Sequence, residues 1–112
     1  MVLVPFPFVE APRLRKRPAV VISVQQPATG IDLLWVLMVT SASNKGWRGD
    51  VSLETRHGEC RLEVPCVVRT AKIATVESAR AEHRGAMPAD LFADVRKTLL
   101  GCFAESDRSE FP

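Results

Sequence analysis

Two apolar segments near the start of this 112-residue chain restrict its fold more than any other feature. Both segments, Pro18–Val24 and Ile31–Val39, are rich in β-branched residues and almost free of polar interruptions. Such runs are typical of strands that are buried on both faces, and each is too short for the roughly 18 apolar residues of a membrane span. Pro27 and Gly30 lie between them and favour a turn. The sequence therefore predicts a pair of adjacent buried strands.

Shorter strands are predicted on either side of this pair. Val2–Phe8 is apolar but contains Pro5 and Pro7, which cannot donate to a sheet ladder, so it fits the end of an edge strand or of a bulged strand. The others are a half-exposed strand at Asp50–Leu53, strands at Leu62–Arg69 and Lys72–Val76, and a short piece near Arg84–Met87. No helical pattern alternates with these strands, so an antiparallel sheet is expected rather than a parallel one.

The periodicity changes after Pro88, where one helix is predicted. Pro88 suits the first helical position and Asp90 the positive end of the helix dipole. A single apolar stripe follows at helical spacing, formed by Leu91, Phe92, Val95, Leu99, Cys102 and Phe103. We interpret this stripe as core or as a dimer contact, and we place Trp35, inside a buried strand, in the core. The predicted fold is mainly β: a small antiparallel barrel at residues 1–105 with a C-terminal helix, then a polar tail at 106–112.

Composition narrows the class of protein. Apolar residues at 46% and charged residues at 25% are ordinary for a globular domain and exclude wholesale disorder. A chain of this length suits one domain and has no room for separate cofactor and substrate domains. The first residues lack the basic stretch and long apolar core of a secretory signal. Three cysteines cannot all pair within the chain, which favours reduced thiols and a cytoplasmic protein with no membrane association.

Standard motifs for metals, cofactors and nucleophilic catalysis are absent from the sequence. His57, Cys60 and Cys66 lie near one another, but a fourth zinc ligand and the usual ligand spacing are missing. There is no glycine-rich nucleotide loop and no serine-nucleophile motif. We therefore predict no metal and no cofactor.

The basic residues are concentrated although the net charge is only +2. Four of them, Arg13, Arg15, Lys16 and Arg17, fall within five positions, and Lys45 and Arg48 flank Trp47 in a second polar segment. Such a cluster is most often a solvated hairpin loop, and the alternative is a rim that binds phosphates. Charge alone favours the solvated loop.

Five motifs in order resemble the MazF/PemK (Kid-like) family of toxins from type II toxin–antitoxin modules. They are Val2-Leu-Val-Pro-Phe-Pro-Phe, Lys16-Arg-Pro-Ala-Val-Val-Ile-Ser, Val39-Thr-Ser, Gly49-Asp-Val-Ser-Leu and Cys66-Val-Val-Arg-Thr-Ala-Lys-Ile, and Arg84-Gly precedes the final helix. The resemblance extends from Val2 to about Gly101. It implies an SH3-like barrel, which agrees with the fold expected from the residues.

The resemblance also implies a function. Members of this family cleave single-stranded RNA, commonly mRNA, without a metal: the 2′-hydroxyl attacks the adjacent phosphate and leaves 2′,3′-cyclic phosphate and 5′-hydroxyl ends. A homodimeric toxin, a small antitoxin partner and contact with DNA only through that antitoxin are implied as well. A non-enzymatic CcdB-like inhibitor of DNA gyrase is the competing class. That inhibitor ends Trp-Gly-Ile, whereas this chain ends Glu110-Phe-Pro, so RNA cleavage is preferred.

Three residues are predicted to be catalytic. Arg17 aligns with the family's catalytic arginine and Thr40 with its catalytic threonine or serine, and Arg69 corresponds to the arginine of an Arg-x-Asp triplet. Without the resemblance, Arg17 is a strand-edge arginine in a surface ion pair and Thr40 a hydroxyl that satisfies the backbone. The triplet here is Arg69-Thr70-Ala71, so the family carboxylate is absent.

The missing carboxylate leaves the general base open. Glu10 takes the proton, or Arg17 and Arg69 divide the work, or the enzyme is slow; a degenerate member that only binds RNA or an antitoxin is a third class of function. The predicted RNA contacts are Arg13, Arg15, Lys16, Ser41, Ser43, Asn44, Lys45, Trp47 and Arg48. For Trp47, stacking on a base and folding back over the barrel rim are equally supported.

Overall fold

The computed structural model describes residues 1–5 and 16–105 as one antiparallel sheet and one helix. The strands are β1 (Val2–Pro5), β2 (Lys16–Ala28), β3 (Ile31–Ser41), β4 (Asp50–Ser52), β5 (Cys66–Glu77) and β6 (Glu82–His83), and α1 spans Ala89–Glu105. Residues 6–8 of the predicted first strand, Glu10, Arg13, Arg15 and the predicted tail lie outside the described residues. No helix in the described part is long and apolar enough to cross a membrane.

The strand order in the sheet is β4-β5-β3-β2-β1-β6, and every neighbouring pair is antiparallel. The mainly β fold with a C-terminal helix is therefore confirmed. Within the described residues β4 and β6 remain unpaired edges, so the sheet is open, in an arrangement compatible with a small barrel-like fold.

From Val36 to Thr40 the central strand β3 is buried on both faces, as its apolar sequence predicts, whereas Ile31, Asp32 and Trp35 nearer its start are exposed. Leu34, Val36 and Met38 belong to one apolar cluster, which also contains residues of β1 and the end of β5. Leu37 and Val39 point the other way, into a second cluster that α1 covers. Alternation along an extended strand explains this division, because successive side chains lie on opposite faces of the sheet. One run of apolar residues thus contributes to two cores.

The prediction that Trp35 lies in the core is wrong. Its side chain is 43% exposed and borders an apolar groove of about 380 Å³ between the sheet and α1. Leu100 and Phe103 of α1 border the same groove and are exposed as well. Trp35 lies on the α1 face of β3, but towards the strand's beginning, where α1 leaves one side of the indole uncovered.

The fifth strand corrects the predicted pair Leu62–Arg69 and Lys72–Val76. β5 is continuous, but its pairing with β3 shifts between Arg69 and Ile73, so that the intervening residues form a bulge. The predicted break therefore coincides with an irregularity rather than with the end of a strand. Residues 62–65 are not part of the strand: they follow a 3₁₀ turn at His57–Cys60 that ends at Arg61, which has a left-handed φ of 57°.

The start of α1 is held by an ion-pair cluster. Arg56 donates to Glu59 and also to Asp90, in the first turn of α1. These contacts lower the pKa of Asp90, chiefly through its hydrogen bond with Arg56. The helix begins at Ala89 rather than Pro88, and the Pro88 carbonyl accepts from the Phe92 N–H. The predicted helix is confirmed with its boundary one residue later.

Gly49, just before β4, allows a direct stability test. Its φ is +89°, and a Cβ there would lie 2.5 Å from Thr70 Oγ1. Gly49→Ala should therefore lower the free energy of unfolding by about 2 kcal/mol in chemical denaturation. Gly101→Ala is the matched control: the helical Gly101 has open space around it, so alanine should stabilise the protein by roughly 0.5–1 kcal/mol. Equal effects of the two substitutions would contradict this account.

Candidate active site

Arg17 and Thr40 lie at one end of the two central strands. Ala19 of β2 pairs with Met38 of β3, and Arg17 and Thr40 each lie two residues farther towards the same end. Because alternate residues share a face, both side chains point to the same side of the sheet. The fold thus brings these two predicted residues together on one face.

The Arg17 guanidinium contains a buried donor that has no partner among residues 1–5 and 16–105. Its Nε atom is buried, and no described residue accepts a hydrogen bond from it. Burying an unsatisfied donor costs about 1–3 kcal/mol, and such groups concentrate where a ligand completes the hydrogen bonding. The surface ion pair that the sequence suggested as the alternative for Arg17 is not found among the described residues.

Thr40 is 7% exposed, and its hydroxyl takes part in a local hydrogen bond. Asn44 Nδ2 donates to Thr40 Oγ1 at 3.0 Å. Asn44 ends a 3₁₀ turn at Ala42–Asn44 that directly follows β3, and Ser41 caps this turn by accepting from the Ser43 N–H. The end of β3 is therefore bent back so that Asn44 reaches the threonine.

Arg69 forms a buried ion pair with Asp50. The two residues face each other across β5 and β4; Arg69 Nε donates to Asp50 Oδ1 at 3.1 Å and its Nη2 to Oδ2 at 3.0 Å. Their side chains are only 6% and 9% exposed. Arg69 Nη2 also donates to the main-chain carbonyl of Asn44. The planar fork of Arg69 is thus occupied by protein acceptors.

Asp50 organises the loop that connects β3 to β4, which we call the 42–49 loop. Its carboxylate accepts the main-chain N–H groups of Gly46 and Trp47 at 3.2 and 3.1 Å. Burial alone would raise the pKa of Asp50, but the hydrogen bonds from Arg69 and from these N–H groups outweigh it and lower the pKa. Asp50 therefore remains ionised and holds the loop at Gly46 and Trp47.

Trp47 covers the same ion pair. Its ring lies 4.0 Å from the Arg69 guanidinium carbon and 5.3 Å from Lys72 Nζ, the geometry of a cation–π contact. The indole nevertheless remains 47% exposed. The indole is thus folded back against the Arg69 side chain, and part of its ring remains accessible. Stacking of this accessible part on a base stays a prediction.

Of the other predicted RNA contacts, Ser43, Lys45 and Arg48 belong to this loop, Ser41 directly precedes it, and Lys16 lies at the start of β2. Lys45 pairs with Glu54 at 3.1 Å and Lys16 with Glu82 at 3.2 Å, both as exposed ion pairs. Such pairs contribute about 0–1 kcal/mol, so a phosphate can displace the carboxylates at little cost. Ser41 and Ser43 hydrogen-bond each other, and Arg48 is exposed.

Asp50 is the residue that the sequence did not identify as part of the site. A signal was present: an acidic residue after a glycine at the start of a short strand, inside one of the quoted motifs. The expected partner of Arg69 was at position 71, where alanine stands. The structure instead supplies a carboxylate from a neighbouring strand, which only the β4–β5 register reveals.

The described residues contain no group of three or more histidine, cysteine or acidic side chains placed to hold a metal ion. The family model of the PemK-like, MazF-like toxin of the type II toxin–antitoxin system matches residues 1–103. The chain belongs to this family. The resemblance seen in the sequence is therefore confirmed, and membership makes the protein a toxin of a type II module, with an antitoxin as its implied partner. A search of curated proteins found no match.

The Asp50–Arg69 pair generates a test of stability. Asp50→Asn removes the charge opposite a buried guanidinium and should lower the free energy of unfolding by about 3 kcal/mol near neutral pH. Because the folded-state pKa of Asp50 is lowered, its stabilisation is complete above the ordinary value of 3.8 and is lost as the pH falls through the lower folded value. The deficit of the variant should therefore shrink on acidification, measured by urea denaturation at several pH values.

Asp90→Asn serves as the control for this test. Asp90 also pairs with an arginine, Arg56, but its side chain is 68% exposed. Its substitution should cost clearly less stability than Asp50→Asn because solvent screens the exposed pair. Equal losses at neutral pH would show that the buried pair has no special role.

Proposed function

We propose that this toxin is an endoribonuclease that cleaves single-stranded RNA, with mRNA as the substrate in the cell. The observation that carries the proposal is the buried Nε of Arg17, which has no hydrogen-bond partner among the described residues and lies on the same face as the Thr40 side chain. An RNA phosphate would supply an acceptor for this nitrogen. Family membership supports the same reaction, because the MazF/PemK family is generally one of endoribonucleases.

The proposed reaction takes its nucleophile from the substrate. The ribose 2′-oxygen loses its proton and forms a bond to the adjacent phosphorus, while the bond from phosphorus to the 5′-oxygen breaks and that oxygen gains a proton. The products are a 2′,3′-cyclic phosphate and a 5′-hydroxyl. Negative charge accumulates on the phosphate oxygens in the transition state, where positioned donors are most effective. Arg17 and Thr40 provide such donors, and the reaction needs no metal.

Arg69 receives a narrower role in this proposal than the sequence suggested. Its fork is occupied by Asp50 and the Asn44 carbonyl, so it positions the 42–49 loop rather than clamping a phosphate. Sharing of the proton transfer between Arg17 and Arg69 is disfavoured for the same reason. Asp50 is a weak base because its pKa is lowered and both oxygens accept hydrogen bonds. Glu10 is then the candidate base that remains from the sequence.

The RNA path is proposed to follow the basic rim beside this site. Lys16, Lys45 and Arg48 would contact phosphates, together with Arg13 and Arg15, and the exposed part of Trp47 would stack on a base. Such stacking contributes roughly 1–3 kcal/mol per base in single-strand binders. Ser41 and Ser43 would lie along the same path. We place the protein in the cytoplasm, where its three free cysteines fit a reducing environment.

A cleavage assay tests the reaction. Purified protein is incubated with single-stranded RNA in EDTA, and the rate and the end groups are measured. Arg17→Ala should reduce cleavage on the order of 100-fold, because one donor to the developing charge is removed. Lys97→Ala is the control, since Lys97 is an exposed basic residue on α1, which packs against the opposite face of the sheet, and it should cleave at the wild-type rate.

Three outcomes decide between the functions. Cyclic-phosphate ends that depend on Arg17 support the proposed reaction. Undiminished cleavage by Arg17→Ala contradicts the site. An absence of cleavage on varied RNAs contradicts the enzyme and favours a binding-only or gyrase-inhibiting toxin.

We further propose that the toxin is a homodimer and that the second copy covers the groove beside Trp35. This groove is lined mainly by apolar side chains, and Leu100 and Phe103 are 55% and 62% exposed. Exposed apolar patches of this kind are typical of interfaces. Leu100→Asp should place a charge in the contact and shift sedimentation from dimer to monomer, whereas Lys97→Asp on the same helix should leave the dimer intact. A dimer that persists in Leu100→Asp would exclude this face.

A further inference from the structure

The hydrogen bond at Thr40 determines more than the position of its oxygen. A hydroxyl has one proton to donate and two lone pairs that accept. Asn44 Nδ2 donates to Thr40 Oγ1, so one lone pair is used and the proton is directed elsewhere. No other described side chain accepts this proton. The threonine therefore keeps its O–H available for a ligand on the Arg17 side.

Asn44 is anchored independently of its amide group. Its main-chain carbonyl accepts from Arg69, and the turn that contains it is tied to the chain before β5 by the Ala42 N–H, which donates to the Pro65 carbonyl at 2.9 Å. Substitution of the side chain leaves these backbone contacts in place. The amide at position 44 is thus presented to Thr40 by a frame that the Asp50–Arg69 pair maintains.

We propose that Asn44 is a positioning residue that orients the Thr40 hydroxyl as a donor toward the scissile phosphate. This inference rests on the proposed RNA cleavage and assigns Asn44 a role different from the RNA contact expected from the sequence. The Asn44 amide acts through Thr40. Because Nδ2 donates to Oγ1, the hydroxyl proton points away from Asn44 and can be donated to the phosphate. Thr40 then stabilises the charge that develops on the phosphate oxygens.

Asn44→Asp is the most informative variant because it keeps the shape and reverses the hydrogen bond. An ionised carboxylate only accepts, so it takes the Thr40 proton and turns it away from the phosphate. We expect kcat to fall on the order of 100-fold, the usual effect of losing one such donor, with KM little changed. A protonated carboxyl donates again. The ratio of Asn44→Asp to wild-type kcat should therefore rise as the pH falls toward the ordinary aspartate pKa of about 4.

Asn44→Ala separates orientation from simple contact. It removes the amide without adding an acceptor, and water can replace the donor, so we expect a smaller loss of about tenfold or less, with no pH dependence of the ratio to wild type. In a Thr40→Ala background, Asn44→Asp should cause no additional loss, because the hydroxyl on which it acts is gone. Gln26→Ala removes a comparable amide hydrogen bond, to Asp32 at the distant hairpin, and should leave kcat unchanged.

The outcomes distinguish this inference from the function on which it rests. An inactive wild type overturns both. If the wild type is active and Asn44→Asp keeps full activity, the inference alone is overturned. That result would mean that the Asn44 side chain accepts the Thr40 proton, since a carboxylate can replace an accepting amide oxygen but not a donating amide nitrogen. A rise in KM with kcat unchanged identifies Asn44 as an RNA contact and also overturns it. Thermal denaturation confirms that each variant is folded at the assay temperature.

Discussion

The buried ion pair between Asp50 and Arg69 is the interaction on which the candidate site depends. Both charges are almost removed from water, which is costly unless each is paired and hydrogen-bonded. Nearby hydrogen bonds offset this desolvation free energy: Arg69 also donates to the Asn44 carbonyl, and Asp50 accepts two N–H groups of the 42–49 loop. The same bonds that satisfy the charges therefore fold the loop. Trp47 covers the pair and excludes part of the solvent.

Two arginines of the toxin are consequently in opposite situations. Arg69 donates from Nε and Nη2 to protein acceptors, whereas Arg17 retains a buried nitrogen without a described partner. An arginine of the first kind supports a structure, and one of the second kind is suited to an anionic ligand. The sequence ranks both as candidate catalytic residues because it shows only the residue types and not their partners. Burial and hydrogen bonding separate the two roles.

The general fold could be predicted because its main signals are local. The apolar runs of β2 and β3 predict strands by composition, and the apolar stripe after Pro88 predicts α1 by its period. Trp35 was misplaced because residue type and neighbours in the chain cannot show where a helix stops covering a sheet. A break between two strands near Thr70 was wrongly predicted for a related reason: a bulge interrupts the local pattern, yet β5 pairs with β3 on both sides of it.

By itself, the sequence determined the family and the mainly β architecture and identified Arg17 and Thr40 as candidates for the site, because motif order and periodicity are properties of the chain. The tertiary structure alone decided which groups meet. Asp50 and Arg69 are 19 positions apart in the sequence and meet only because β4 pairs with β5. Asn44 reaches Thr40 only because the chain turns back after β3. Strand register and loop closure are set by the packing of the whole sheet. No local pattern around Asp50 or Asn44 encodes the partner that each one finds.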